Sequence, residues 1–467
     1  MAIHALRMVR TRSGVKSMRA KISSICLDIA GQKSGTLPLQ TFFIDGCHHR
    51  SSSSRSQPER DTDQIIPVSR ARLDQLLETE ITSLALREPT PLTLQSILEL
   101  ALSTDSAGLA QLLYEELPVR FAKRVKMIEA LPDWQSKKSI SNVREMYVTS
   151  FKELRLIDPC EPEQFAEQIR AIKKRHSQTN LLTGGFKEYV EVDEMGEEKI
   201  NDWLDRFFAL RISTNMLMSH HLQISRKSQL SSINDPVDFP IDLKNSYRGY
   251  VDRECQPARI AEHAAQTVRR LCHLRYGLAP FINVTDCGAK AFPFVPRYLF
   301  YILSEVLKNS TRATIEWYLS ERLDADGQYS QPDWEKTQEE LPPIKILVSG
   351  DNNVCSIRIS DRGGGIPVDR LSHVWSYLYT SAEPIQSTVS RLAVDDPTEL
   401  SRLDCAHPPF GSPLAGLGCG LPLSRLYARY LGGQIELQTL PRFGTDVFVY
   451  LNRLGNSSES LESLPHL

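Results

Sequence analysis

What this 467-residue sequence has little of narrows its class before any motif is considered. It has no apolar run near the roughly 18 residues that a membrane-spanning helix needs, and Tyr298 to Leu303 is typical of its short ones. That pattern argues against insertion in a membrane. It has no excess of one charge: 55 basic and 57 acidic residues leave a formal net charge of −2. No overall field therefore draws it to nucleic acid. It has no C-x-x-C pair, and its cysteines number nine, an odd count. A zinc ribbon or disulfide framework is disfavoured, and free thiols in a reducing compartment are the simpler reading. No acid precedes Asp28, whereas Arg7, Arg10, Arg12, Lys16, Arg19 and Lys21 crowd the same stretch. A basic, serine-containing, acid-free segment over 1–27 has the composition of a mitochondrial transit peptide. With 41% hydrophobic and 24% charged residues, the remainder has the balance of a chain that builds a core.

Residues 28–65, with the run Ser51 to Ser54, read as a polar linker. From 66 to 230 the pattern is helical. Leu112, Leu113, Leu117, Phe121, Val125 and Ile128 recur at spacings near three and four, as do Trp203, Leu204, Phe207, Phe208, Leu210, Ile212, Met216 and Leu217. Breaks at Pro132-Asp133, Asp158-Pro159 and Gly184-Gly185 cut this stretch into long amphipathic pieces, which predicts an antiparallel helical bundle. Residues 226–256 read as mostly loop. From 257 to 455 helices and strands mix. Helices are expected at 259–276, 296–320 and 420–431. Strand pairs are expected at 344–349 with 354–360 and at 434–440 with 445–451, giving an α/β sandwich of one sheet and a helical layer. Residues 322–342 and 383–412 read as polar insertions, and 456–467 as a loose Ser/Glu-rich tail.

Three segments of the second half carry chemistry. Glu305, Lys308, Asn309 and Arg312 fall at i, i+3, i+4 and i+7, which is one stripe of a helix. Asp361-Arg-Gly363-Gly364-Gly365-Ile-Pro follows a strand directly, and its glycines let a backbone approach a ligand closely. A carboxylate at that strand end can accept from an exocyclic amine such as that of adenine. Gly416-Leu417-Gly418-Cys419-Gly420-Leu421-Pro422 runs into a helix, whose free N–H groups suit phosphate. It is not the dinucleotide fingerprint, because Leu421 occupies the last glycine position, and no Walker A sequence is present.

The order of these three segments, followed by Gly444-Thr445-Asp446, resembles the N box, two glycine boxes and terminal strand of the GHKL ATPase superfamily that includes gyrase and histidine kinases. The resemblance implies an α+β fold: an N-terminal antiparallel helical bundle and a GHKL (Bergerat-type) α/β sandwich ATP-binding domain. It implies Glu305 as general base and Asn309 as the Mg²⁺ ligand. Asp361, Gly363 and Gly365 would lie at the adenine, with Lys308 and Arg312 placed to offset phosphate charge. Gly416, Leu417, Gly418, Cys419, Gly420 and Leu421 would lie over the phosphates, with Thr380, Ser381 and Thr445 lining the same site.

Within the superfamily, Glu305-Val-Leu-Lys-Asn-Ser-Thr-Arg-Ala-Thr and Gly420-Leu-Pro-Leu-Ser-Arg-Leu-Tyr-Ala-Arg-Tyr are similar to the mitochondrial 2-oxo acid dehydrogenase kinases. Glu116-Leu-Pro-Val-Arg120 and Arg211-Ile-Ser-Thr-Asn-Met-Leu resemble that family's regulatory bundle, so the likeness runs over about 85–455. It implies a protein-serine kinase of the mitochondrial matrix that uses ATP and Mg²⁺, with K⁺ as a further ion. Its partners would be an E1α subunit as substrate, the lipoyl domain of an E2 core and a second copy in a homodimer, with no nucleic acid. Tyr301 departs from the family, many of whose pyruvate-specific members carry a His there, and the pyruvate and branched-chain complexes both remain open as targets. Two alternatives stand beside this reading. A sensor histidine kinase would use His220 or His221, but Leu222 follows where an acid is usual. A non-kinase, ATP-switched binding protein would bind ATP without transferring phosphate to a protein.

Overall fold

The computed structural model describes residues 69–103, 106–176, 186, 189, 195–228, 247–321, 340–379 and 419–459. The stretches read as transit peptide and linker, the Gly184-Gly185 break, most of the insertion 322–342 and all of 383–412 lie outside them.

Among the described residues six helices form the first half: α1 (Arg70–Ala85), α2 (Leu94–Ser103), α3 (Ser106–Glu129), α4 (Lys138–Leu156), α5 (Pro162–His176) and α6 (Glu197–Ser228). Ser69 caps α1 by accepting from the Arg72 N–H at 3.3 Å. In α4 the residues Ile140, Val143, Tyr147, Val148, Phe151 and Leu154 are buried, the 3–4 spacing of one face. α5 buries Phe165, Ile169 and Ile172 in the same way. α3 packs on α1, α4 and α6, and the short turn through Asp133 makes α3 and α4 antiparallel neighbours. Aromatic rings fill the centre: Phe121 and Tyr147 at 6.0 Å, Tyr147 and Phe207 at 5.7 Å, and Trp203 stacked on Phe207 at 5.0 Å.

The second half holds β1 (Tyr247–Arg248), β2 (Val251–Cys255), α7 (Pro257–Tyr276), β3 (Ile282–Asp286), β4 (Phe292–Phe294), α8 (Pro296–Ser320), β5 (Ile344–Gly350), β6 (Val354–Ser360), a 3₁₀ turn (Val368–His373), α9 (Gly420–Tyr430), β7 (Gln434–Leu440) and β8 (Gly444–Asn452). A five-stranded sheet has the order β3-β5-β6-β8-β7. It is mixed, with β3 parallel to β5 and the other pairs antiparallel. Ile344, Ile346, Val348, Cys355, Ile357, Ile359, Val447, Val449 and Leu451 are buried at alternate positions, so one face of the sheet meets the helices. α7, α8 and α9 all pack on it.

Two expectations change. Of 226–256, read as mostly loop, 229–246 lie outside the described residues, whereas β1 and β2 are strands that with β4 make a second sheet. The sequence Val-Asp-Arg-Glu-Cys does not alternate, and Val251 to Cys255 is a strand by pairing with Tyr247–Arg248 on one side and the distant Phe292–Phe294 on the other. The tail is also not loose over 456–459. Gln95 donates to the Gly455 carbonyl at 3.1 Å, and the Glu459 N–H donates to Leu92 O at 2.8 Å. Ser458 forms a β-bridge with Thr93.

Glu459 is 3% exposed and joins three elements. Its Oε1 lies 2.7 Å from Arg120 Nη2 of α3, a fully buried guanidinium, and it also accepts from the Leu92 N–H. Its Oε2 accepts from the Tyr430 hydroxyl of α9. A second link is His220 of α6, whose Nδ1 accepts from the Tyr250 N–H at 3.2 Å. A Cβ added at Gly249 would come within 2.4 Å of that nitrogen, so the β1–β2 turn rests directly on the ring. His221 meets Phe165 edge-on at 5.3 Å. Burial lowers both imidazoles to about 4, with the neighbouring His221 adding to the shift of His220 and Arg170 to that of His221.

Two predictions follow from this packing. Glu459→Ala leaves the buried Arg120 guanidinium with Glu116, 3.8 Å from its Nε, as its remaining carboxylate and lowers stability by about 3 kcal/mol, read by denaturant unfolding; a shift under about 1 kcal/mol, on the scale of an exposed pair, would show that the pair is not structural. The two histidines stay neutral in the folded chain down to about pH 4, whereas in the unfolded chain they take up protons near pH 6.5. Their contribution is therefore complete above pH 6.5 and is lost as the pH falls toward 4. His220→Gln keeps an acceptor for Tyr250 and should make the decline across that window shallower by about one proton; an unchanged slope would contradict the assignment.

Candidate functional site

α8 runs under the centre of the site. Pro296 starts it, and Tyr298, Leu299, Ile302, Leu303, Val306 and Leu307 are buried around its first half. This packing fixes the stripe that begins at Glu305. Glu305 and Lys308 are 6% and 7% exposed, and Lys308 Nζ lies 2.6 Å from Glu305 Oε1. Asn309, the next residue, is exposed. Arg312, a turn further on, is half-buried and its Nε is 3.4 Å from Glu316 Oε1.

Asp361 follows β6 and is 8% exposed. Its Oδ2 accepts from Ser310 Oγ of α8 at 2.8 Å. Its Oδ1 accepts from the N–H groups of Gly363 at 3.0 Å and Thr445 at 3.2 Å. Burial raises its pKa above the ordinary carboxylate value, and those three donors pull it partly back. Each carboxylate oxygen carries two lone pairs, so acceptor capacity remains for an amine.

The glycines after Asp361 are required by contact. A Cβ at Gly363 would come within 2.6 Å of Ala313 Cβ on α8. Gly365 has φ +69°, and a Cβ there would strike Leu440 O at 2.2 Å. The turn is pinned to the β7–β8 hairpin by Arg442 N donating to Gly364 O at 2.7 Å and Ile366 N to Thr439 Oγ1 at 2.8 Å. Thr445 Oγ1 is 3.1 Å from the same Thr439 oxygen.

The second glycine loop enters the described structure at Cys419, which is half-buried like Leu421. Cys419 Sγ is 3.8 Å from Tyr377 O. A Cβ added at Gly420 would sit 2.5 Å from Glu305 Oε2, so the first residue of α9 lies directly against that carboxylate. The structure therefore brings Glu305, Lys308, Cys419, Gly420 and Leu421 to one end of the site. It brings Asp361, Gly363, Gly365 and Thr445 to the other, with Asn309 between them on α8. Arg312 is turned to Glu316. Thr380, Ser381, Gly416, Leu417 and Gly418 lie outside the described residues.

Sequence reasoning passed over Ser310 and Thr439, which orient Asp361 and the glycine turn. The signal for Ser310 was its place in the same helical segment as Asn309; Thr439, 73 residues from Ile366, had none. His220 and His221, the candidate phospho-acceptors, are buried side chains of the bundle. Among the described residues no group of three or more His, Cys, Asp or Glu side chains is arranged to hold a metal ion. Asn309, exposed on α8, carries an amide oxygen of the hard kind that Mg²⁺ prefers.

Comparison with known proteins places the chain. Residues 91–252 match the family model described as mitochondrial branched-chain alpha-ketoacid dehydrogenase kinase. The chain is 32% identical over 360 residues to the mitochondrial pyruvate dehydrogenase (acetyl-transferring) kinase of Arabidopsis thaliana, covering 75% of this chain and 86% of that protein. It is 31% identical over 413 residues to isozyme 4 of that kinase from Rhinolophus ferrumequinum, covering 84% and 87%. It is 31% identical over 395 residues to isozyme 3 from Homo sapiens, covering 81% and 86%. With such identity across most of both chains, this protein belongs to the mitochondrial 2-oxo acid dehydrogenase kinase family.

Proposed function

We propose that this protein is a mitochondrial protein-serine kinase that inactivates a 2-oxo acid dehydrogenase complex by phosphorylating its E1α subunit with Mg-ATP. The observation that carries this reading is the Glu305 carboxylate, held between Lys308 and the first residue of α9, at one end of a glycine-lined site. The mixed sheet with α7, α8 and α9 on one face supports a GHKL-type arrangement of that site. The pyruvate complex is the first target on this reading, because the relatives that cover most of the chain carry that name. The branched-chain complex, named by the family model, is the second.

In this mechanism Asp361 accepts from the adenine amine, its other lone pairs being used by Ser310, Gly363 and Thr445. The N-terminus of α9 presents free backbone N–H groups and the positive end of its dipole to the phosphates. Mg²⁺, when bound through Asn309, supplies neutralisation of charge on the phosphate oxygens. Glu305 takes the proton of the serine hydroxyl as that oxygen bonds to the γ-phosphorus and the bridging bond to ADP breaks. Lys308 Nζ, 2.6 Å from Glu305 Oε1, fixes the orientation of that carboxylate. K⁺, the lipoyl domain of E2, a homodimer and the matrix compartment belong to the same proposal and rest on the family likeness.

The test is transfer of labelled phosphate from ATP to E1α of each complex, each presented with its lipoyl-bearing E2. Label on a serine of one E1α is expected. ATP hydrolysis with neither E1α labelled would instead support the ATP-switched binding protein. Glu305→Gln should bind ATP yet lose transfer by about a hundredfold or more, while Asn309→Ala should lose Mg-ATP affinity; near-normal rates in either would remove that residue's role. Deleting residues 1–27 should abolish import into isolated mitochondria without changing activity in vitro, and continued import would refute the targeting segment.

A further inference from the structure

α6 belongs to the helical bundle, yet its first turns touch the nucleotide-site half at several points. The Tyr377 hydroxyl donates to Asp205 Oδ1 at 2.6 Å. The Tyr377 N–H donates to Asn201 Oδ1 at 3.0 Å, and the Ser376 hydroxyl meets the same side chain at 3.3 Å. The Tyr377 ring lies 5.4 Å from Phe208. On the other side of Asp205, Arg425 of α9 places Nη2 at 3.9 Å from Oδ2 and stacks its guanidinium over Trp375 at 4.8 Å. One carboxylate on the bundle thus holds both the loop that carries Tyr377 and the second turn of α9.

That second turn lies five residues beyond Gly420, whose Cα rests against Glu305. α9 is a short rigid rod of 11 residues, so its N-terminus cannot be placed independently of Arg425. Cys419, just before it, also meets the Tyr377 carbonyl. A path of direct contacts therefore runs from Asp205 through Tyr377 and Arg425 to the backbone that abuts the carboxylate proposed as base. Tyr377 is fully buried and Asp205 is half-buried, and the short hydrogen bond between them is charge-assisted. Burial raises the Asp205 pKa, and the Tyr377 and Arg425 contacts oppose that rise.

We propose that Asp205 is a positioning residue for phosphoryl transfer: it sets the N-terminus of α9 against Glu305 and makes the placement of that terminus depend on α6. The inference rests on the kinase reading and deepens it, because it names how the bundle regulates the site. It does not require Asp205 to touch substrate. A shift of α6 by a ligand or partner on the bundle would move the donors over the phosphates and the contact with the base together.

The test uses the full chain in the E1α transfer assay at saturating ATP, with thermal midpoints measured in parallel. Tyr377→Phe removes one oxygen, and Asp205→Ala removes the carboxylate. Both should lower kcat by between about tenfold and a hundredfold, the scale of a small misplacement of reacting groups, with KM for E1α unchanged. Asp205→Asn retains an acceptor for the Tyr377 hydroxyl and should recover most of the rate. The double variant Asp205→Ala/Tyr377→Phe should be no slower than Asp205→Ala alone, because both act through one contact. Wild-type kcat in Tyr377→Phe, or fully additive losses in the double variant, would overturn the proposal. So would a lowered thermal midpoint with kcat intact. If the unaltered chain labels neither E1α, the kinase reading fails instead, so the two failures are distinguishable.

Discussion

A carboxylate and an ammonium 2.6 Å apart, each less than a tenth exposed, are expensive to remove from water. The Glu305–Lys308 pair is tolerated because α8 carries both groups one turn apart and its other faces are packed by Tyr298, Leu299, Ile302 and Leu303. Everything else at the site is built against that helix. The strand end at Asp361 is held by Ser310, and the glycine turn lies on Ala313. α9 brings its N-terminus to the second oxygen of Glu305, where a positive helix end favours the negative charge. A side chain at Gly363 or Gly420 would separate these elements, so the glycines are packing requirements as much as ligand-binding ones.

The same helix reaches the bundle, where the Tyr298 hydroxyl donates to the Ile212 carbonyl of α6 at 3.4 Å. Tyr298 lies 4.6 Å from Tyr427 and 6.1 Å from Tyr250, and Tyr301 lies 5.0 Å from Tyr427. Burial raises the phenol pKa of Tyr298, Tyr301 and Tyr427 well above the usual value, so these rings remain neutral wherever the protein is folded. At Tyr430 the cluster meets Glu459 and, through it, Arg120 of the bundle. Asp205 makes a second crossing with Tyr377 and Arg425. The bundle and the second half therefore meet through polar contacts at the second turn of α9 and at its C-terminal end. Such contacts hold one geometry when every partner is present and cost most when one is removed.

The parts legible in the sequence were those with a local period or spacing. The stripe from Glu305, the Asp361 strand end, the hairpin at 350–353 and the start of α9 all lie within a few residues of their own signals. What escaped was long-range. Glu459 pairs with Arg120 across 339 positions and Tyr377 with Asp205 across 172, so neither partner announces the other. A Ser/Glu-rich tail reads as solvated until a buried arginine is found paired with Glu459. The small sheet escaped for the same reason, because Val251–Cys255 has no alternation of its own and is a strand through Phe292–Phe294. Arg312, which the resemblance places to offset phosphate charge, has its Nε 3.4 Å from Glu316 Oε1, a pairing one turn along the same helix.

The central claim is that Asp361, Asn309 and Glu305 serve one nucleotide. A crystal structure of the full chain with Mg²⁺ and a non-hydrolysable ATP analogue tests it most directly. The expected result places the adenine amine within hydrogen-bond distance of Asp361, the metal on the Asn309 oxygen, and the phosphates at the N-terminus of α9 beside Glu305. A nucleotide bound elsewhere, or bound here with its phosphates on the Asp361 side, would contradict the account.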